Sequence, residues 1–433
     1  MLKDKSIHCI IRIFASKEKP FIMNEEERYD DIIKRFEAML RTNENIFFDL
    51  EDFLEIVDEY ISLGNFNMAV KALEIGLEQY PDNVELLLFR VELYSFDDQL
   101  DKAHALIQQL KQVAPDRVEI PMLEAELCSR KHQHKDAIAA LQKALQFEEA
   151  DPVEIYEIMT VEYLYLEDYR AALDTSLKTL KLDPDSSTAL YNAVTCFDLL
   201  DETEKAVRFL EQHVEKYPFS EVGWSLLAKK YIDKAQYQKA ISALDYAIAI
   251  DDHFLGAYYD KAYAYTQTKQ YDKALECYRL TLKIADPTAF TYYHIAQIYQ
   301  LKKELNNAVH YYFKAIEEDP GYYKSWIKLI NIKLEQGLPN DALSITHKAL
   351  EVINNQELFE LLGKIYLLMN EPQKAVPAFE MSLKLGTPSL PVILQLADLY
   401  KQNNRLDDYR SLLLEARNNF PESDEIKRRM LEK

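Results

Sequence analysis

The chain has 433 residues, of which 48% are hydrophobic, 29% charged and 12% aromatic; this supplies a sizeable core and excludes wholesale disorder. Only eight glycines are present, which disfavours phosphate-cradling loops, tight β-hairpins and dinucleotide-binding turns, since all of these need glycine. The net charge of −22 is concentrated early, with 31 acidic and 13 basic residues between positions 24 and 160, so nucleic acid and anionic membrane surfaces are not expected partners.

In chain order, Lys3 and Lys5 precede an apolar stretch, residues 7–15, that Arg12 interrupts and no clean small-residue cleavage site follows. Residues 1–22 are therefore expected to be a tail rather than a secretory signal, with Met23 an alternative start. No apolar run approaches the roughly 20 residues a bilayer requires, so no membrane insertion is expected. Residues 25–41 are amphipathic, with Tyr29, Ile32, Ile33, Phe36 and Leu40 on one side. Residues 23–49 are thus expected to form a capping helix and linker. Cys9, Cys128, Cys196 and Cys277 stand far apart with no CxxC pair, which points to reduced thiols and a cytoplasmic location.

From residue 50 onward a repeat sets the organisation. Alanine stands at 69, 103, 137, 172, 206, 240, 274, 308, 342 and 375, and Tyr409 continues the series. Nine residues before these come Tyr60, Tyr94, Cys128, Tyr163, Phe197, Tyr231, Tyr265, Tyr299, Lys333, Tyr366 and Tyr400. Twelve residues after them, or up to three beyond, come Pro81, Pro115, Pro152, Pro184, Pro218, Pro287, Pro320, Pro388 and Pro421. Each unit holds two helix-period apolar patterns around a polar turn. A small alanine in the second helix lets the first approach closely, the large side chain nine residues earlier fills the wedge, and proline ends the unit.

At these residues the chain resembles the tetratricopeptide repeat (TPR) family, whose pattern is W-x2-L-G-x2-Y, then A-x3-F, then a terminal proline. The fullest match is Phe359-x2-Leu362-Gly363-x2-Tyr366 followed by Ala375-x3-Phe379 and Pro388, and both tryptophans, Trp224 and Trp326, take the leading aromatic position. The resemblance implies an all-α, right-handed α-solenoid of about eleven helix-turn-helix units over residues 50–423, closed by a short charged C-terminal cap, 424–433. Three departures are candidate bends, with tolerated drift of the repeat as the alternative: Lys333 in place of an aromatic, Pro377 inside a second helix, and an extra residue near 148–152.

Enzyme signatures fail. There is no HExxH, GxSxG, Walker-type loop or GxGxxG, and no catalytic residue is assigned. Cys128, His132 and His134 form C-x3-H-x-H, but no fourth ligand follows nearby. They read as a buried cysteine with exposed turn histidines, so no metal and no cofactor are expected.

What remains is a surface. The family resemblance places the first helix of each unit on a concave groove. By that register the early units present Glu51, Asp58, Glu85, Glu92, Glu119, Glu126, Glu154 and Glu157. The middle units present Tyr191, Lys229, Tyr259, Tyr263, Tyr293, His294 and Gln297, and the ninth presents Lys324, Lys328 and Asn331. The consecutive lysines and asparagines of a chaperone-tail clamp are not matched, because Tyr259, Tyr263 and His294 stand in their place. The expected function is a non-catalytic scaffold that takes a protein or peptide segment in the groove. Tyr259, Tyr263 and Tyr293 act as anchors, and the acidic end attracts a basic segment. A structural subunit using the convex face and caps, or a peptide-sensing module, is the alternative.

Overall fold

The computed structural model describes residues 25–42, 46–386 and 389–431. The tail 1–22, Met23, the side chain of Tyr29 and Pro388 lie outside the described residues. Among the described residues there are twenty-four helices and no strand. Helix α1 (Glu25–Thr42) precedes eleven hairpins, and α24 (Asp424–Leu431) follows them.

The chain divides into two compact units, up to Leu226 and from Leu227 onward, with the division inside α12. Unit 1 contains α2 (Leu50–Ser62), α3 (Phe66–Gln79), α4 (Val84–Phe96), α5 (Leu100–Val113), α6 (Glu119–Arg130), α7 (His134–Ala144), α8 (Pro152–Tyr165), α9 (Tyr169–Leu182), α10 (Ser187–Leu199) and α11 (Thr203–Lys216), and reaches into α12 (Glu221–Asp233). Unit 2 continues with α13 (Tyr237–Ile250), α14 (Leu255–Gln267), α15 (Tyr271–Ile284), α16 (Ala289–Leu301), α17 (Leu305–Glu318), α18 (Tyr323–Glu335), α19 (Pro339–Val352), α20 (Gln356–Leu368), α21 (Pro372–Leu385), α22 (Leu390–Gln402) and α23 (Leu406–Asn419).

All ten alanines of the repeat are 0% exposed, so a methyl is the largest group these helix crossings admit. The hairpin turn is equally regular. One residue per turn lies in the left-handed region, at Gly64, Asp98, His132, Glu167, Asp201, Ala235, Lys269, Lys303, Gly337, Asn370 and Asn404. The next residue's N–H returns to the carbonyl of the packing residue, as in Asn65 to Tyr60, Gln236 to Tyr231 and Arg405 to Tyr400 at 2.8, 2.7 and 2.9 Å. This is a Schellman cap, which satisfies a carbonyl the first helix would otherwise leave open. Trp224 and Trp326 each donate Nε1–H to the carbonyl of the proline six residues earlier, Pro218 and Pro320.

The ends cover open apolar faces. Ile32, Phe36 and Met39 of α1 are buried against Phe48, Phe53 and Tyr60, with Phe36 6.1 Å from the Phe48 ring. Ile426 of α24 joins the last core cluster, while Arg429 donates to the Asp398 carboxylate and the Leu394 carbonyl.

Each of the three sequence departures has a distinct local setting. Lys333 is half-buried and its ammonium reaches to 3.9 Å from Asp341. α21 runs through Pro377, whose ring is exposed, so the proline forgoes one hydrogen bond without ending the helix. The extra residue enters a connection that begins early, because α7 stops at Ala144 after 11 residues whereas the neighbouring second helices have 14.

Candidate recognition surface

The first helices of unit 2 build a recess. Tyr263, Thr266 and Gln267 of α14, His294, Gln297, Ile298, Gln300 and Leu301 of α16, and Lys328 of α18 surround a cavity of about 550 Å³. Tyr263, His294, Gln297 and Lys328 are therefore brought together. Tyr278 also lines the cavity although it belongs to the second helix α15. Its ring lies parallel to His294 at 5.8 Å and an interplanar angle of 6°. Burial depresses the His294 imidazole, with Lys324 adding to the effect, so a neutral ring lines the recess at pH 7. Burial raises the Tyr278 phenol far above its ordinary range. Lys324 and Lys328 are one turn apart on α18 and neither makes an ion pair among the described residues.

The remaining middle residues occupy different roles. Tyr259 is half-buried, its hydroxyl 2.9 Å from Thr291 Oγ1 and its ring edge-on to Phe290 at 5.2 Å. Tyr293 is only 7% exposed, packed among Tyr312 and Tyr322, with its hydroxyl accepting from Gln297 Nε2 at 3.0 Å. The expectation that Tyr293 offers its ring to a partner does not fit this burial; it holds Gln297 from beneath. Lys229 is exposed with Asp260 4.0 Å away, Asn331 is half-buried on α18, and Tyr191 is exposed on α10 in unit 1.

The acids of unit 1 are not a uniform free row. Arg117 bridges Glu85 at 2.8 Å and Glu119 at 3.0 Å, and for Glu85 the paired guanidinium outweighs burial and holds the carboxyl below its usual range. Glu126 accepts from Arg130 Nε at 2.9 Å and Ser95 Oγ at 3.2 Å. Glu157 accepts from Ser186 Oγ at 2.7 Å. Glu51 is exposed, and Glu154 is half-buried. Asp58 is raised by burial and by Glu59, and Glu92 is raised strongly by burial and by the charges of Glu126 and Asp58.

The His132 and His134 rings lie edge-on with centroids 6.0 Å apart, but their surroundings differ. His132 is exposed in the left-handed turn position, whereas His134 opens α7 with Nδ1 2.8 Å from Glu162 Oε2 and its ring stacked on Tyr165 at 4.8 Å. His134 is thus half-buried rather than exposed, and Glu162 is the partner that sequence spacing does not reveal. The Cys128 thiol is half-buried and pushed up by burial and by Glu124 and Asp136.

Eleven hairpins, ten with a buried alanine at the crossing, each with a Schellman turn and two with a leading tryptophan, define an α-helical repeat array. Models of the tetratricopeptide repeat match residues 161–221, 231–296 and 291–322. The chain therefore carries tetratricopeptide repeats over these residues. It is similar to a crystal structure of MamA at 26% identity over 37% of this chain and 95% of that one, with a TM-score of 0.34. It is similar to a structure titled APC/C hetero-tetramer Cut9-Hcn1 at 13% identity over 89% and 97%, with a TM-score of 0.35. A tetratricopeptide repeat protein from Parabacteroides merdae matches at 15% identity over 57% and 98%, with a TM-score of 0.40. No curated protein matches the chain in sequence. No helix among the described residues is long and apolar enough to cross a membrane.

Proposed function

We propose that this protein is a non-catalytic, cytoplasmic interaction scaffold that captures a segment of a protein partner on the first-helix face of its repeats. The observation that carries this reading is the recess of unit 2. It gathers Tyr263, His294, Gln297 and Lys328 from three successive first helices around one cavity. Its chemistry suits peptide recognition: flat rings offer contact area at low entropy cost, and the Gln267, Gln297 and Gln300 amides both donate and accept. Tyr259 and Phe290 extend the aromatic surface beside it. The unpaired Lys324 and Lys328 supply positive charge to orient the segment, and the acidic first helices of unit 1 steer its basic residues.

Photo-crosslinking tests the assignment. With a benzophenone amino acid in place of Gln267, at the rim of the recess, a partner from native lysate should be trapped. The same group in place of Lys283, exposed on the second helix α15, should trap it far less. Equal trapping at both positions, or trapping at 283 alone, would move the interface to the second-helix face.

A further inference from the structure

Asp58, Glu92 and Glu126 occupy one repeat position on three successive first helices, α2, α4 and α6. Glu126 has Arg130 and Ser95 as partners. Glu92 is different: the residue is half-buried, yet its Oε1 is shielded from solvent and has no hydrogen-bond partner. A carboxylate oxygen buried without a donor is a cost carried by the free protein, and it is recovered when a donor arrives.

The protein's own nearby cations are committed elsewhere. Arg130 is held by Glu126, and Arg117 by Glu85 and Glu119. Arg90 donates to the Tyr94 hydroxyl, and Lys102 sits over the Tyr94 ring. One turn earlier on the same three helices stand Leu54, Leu88 and Met122; Leu88 and Met122 are buried in the core and only Leu54 is partly exposed. A metal ion does not suit the arrangement. Among the described residues only Asp251, Asp252 and His253 bring ligand atoms within 4.8 Å of one another, so these three carboxylates are spread too widely to share one ion. A spread of carboxylates, one of them with an unpaired oxygen, matches a planar cation that presents several donors at once.

We propose that the first-helix face of unit 1 seats an arginine side chain of the partner segment. Its guanidinium donates to Glu92 Oε1 and bridges toward Asp58 and Glu126. The inference rests on the first-helix face being the recognition surface, but not on the recess of unit 2.

The test is fluorescence anisotropy of the full chain with a short fluorescein-labelled Gly/Ser peptide carrying two arginines, beside the same peptide with glutamine in their place. The arginine peptide should bind at low salt and the glutamine peptide should not. Glu92→Gln, which keeps the shape and removes the charge, should weaken binding about tenfold, and Asp58→Asn about threefold. Glu78→Gln, exposed on α3, should leave it within about twofold. Thermal unfolding of each variant separates lost recognition from lost folding, and the two cluster variants must agree. No binding of the arginine peptide would overturn the proposal. So would equal weakening by Glu92→Gln and Glu78→Gln, which signals only diffuse attraction to an acidic chain. Either result combined with crosslinking confined to position 267 would sink the arginine seat and leave the recess standing.

Discussion

Gly363 and Gly256 both lie in first helices of unit 2, yet alanine should act on them with opposite sign. A Cβ at Gly363 in α20 would stand 2.3 Å from Cε1, 2.5 Å from Cδ1 and 2.7 Å from Cζ of Phe379. Ordinary carbon contacts begin near ~3.5 Å, so the ring must retreat by about 1 Å. Phe379 is 0% exposed and sits in a cluster with Ala375, Val392, Ile393 and Leu396, which leaves no empty direction. Overpacking of this kind costs about 1–3 kcal/mol, and the required shift places it at the upper end. Alanine's helix propensity returns about 1 kcal/mol, for a net loss of about 2 kcal/mol. At Gly256 in α14 the nearest atom is 3.6 Å away in the Phe254 ring and the site is exposed, so the propensity gain of about 1 kcal/mol stands alone. Urea unfolding, with hydrogen exchange of α20 and α21 as the local readout, should separate the variants by about 3 kcal/mol. A neutral or stabilising Gly363→Ala would refute the seating of Phe379 on that backbone, and with it the account of how first and second helices lock together.

Other expectations follow from the turns and the carboxylates. Ala235 is exposed with φ 54°, so Ala235→Gly should raise stability by about 0.5–1 kcal/mol in thermal unfolding, whereas Gly337→Ala, at φ 71°, should lower it by about 1 kcal/mol. Glu92 holds its proton in the folded state to a higher pH than in the unfolded chain, whose carboxyl titrates near 4.5. Stability should therefore gain a contribution as pH falls from 7 toward that value, and Glu92→Gln should stabilise the protein at pH 7 and reduce this rise in melts taken across the window, leaving the smaller part that the raised Asp58 supplies. Glu202 has the opposite shift. Hydrogen bonds from Arg170 and Lys205 lower it to about 2, so its stabilising contribution is present above 4.5 and is lost as pH falls through about 2. Arg170→Ala should return its NMR titration toward the ordinary carboxylate range.

The repeat was legible in the sequence because its alanines answer a steric demand that admits almost no alternative. Their spacing locates every hairpin, and Trp224, Trp326 and Gly363 sharpen the register. The turns were less legible, because residues such as Glu167, Ala235 and Lys303 take the left-handed position without the glycine or asparagine that would announce it. Hydrogen bonding to the packing residue's carbonyl holds them there, and that is set by the hairpin rather than by the residue. For the recognition surface, register alone brought Tyr263, Gln297 and Lys328 to one face. It could not show that Tyr278 reaches the recess from a second helix, nor that Tyr293 is covered by Tyr312 and Tyr322. Arg117 could have been suspected from its place two residues before Glu119, but its contact with Glu85 spans 32 residues and belongs to the stacking of one hairpin on the next. Glu162, likewise, meets His134 only across 28 residues.

The most direct test of the central claim is quantitative affinity capture from native lysate, comparing the wild-type chain with Tyr263→Ala/Gln267→Ala/Lys328→Ala. These three side chains line the recess of unit 2 at its surface, so the variant should keep its fold and its melting temperature. The account predicts that at least one wild-type partner falls about tenfold or more in the variant, as expected when a recognition hot spot is removed. Undiminished recovery of every partner by a folded variant would contradict it, and would assign recognition to another face of the repeats.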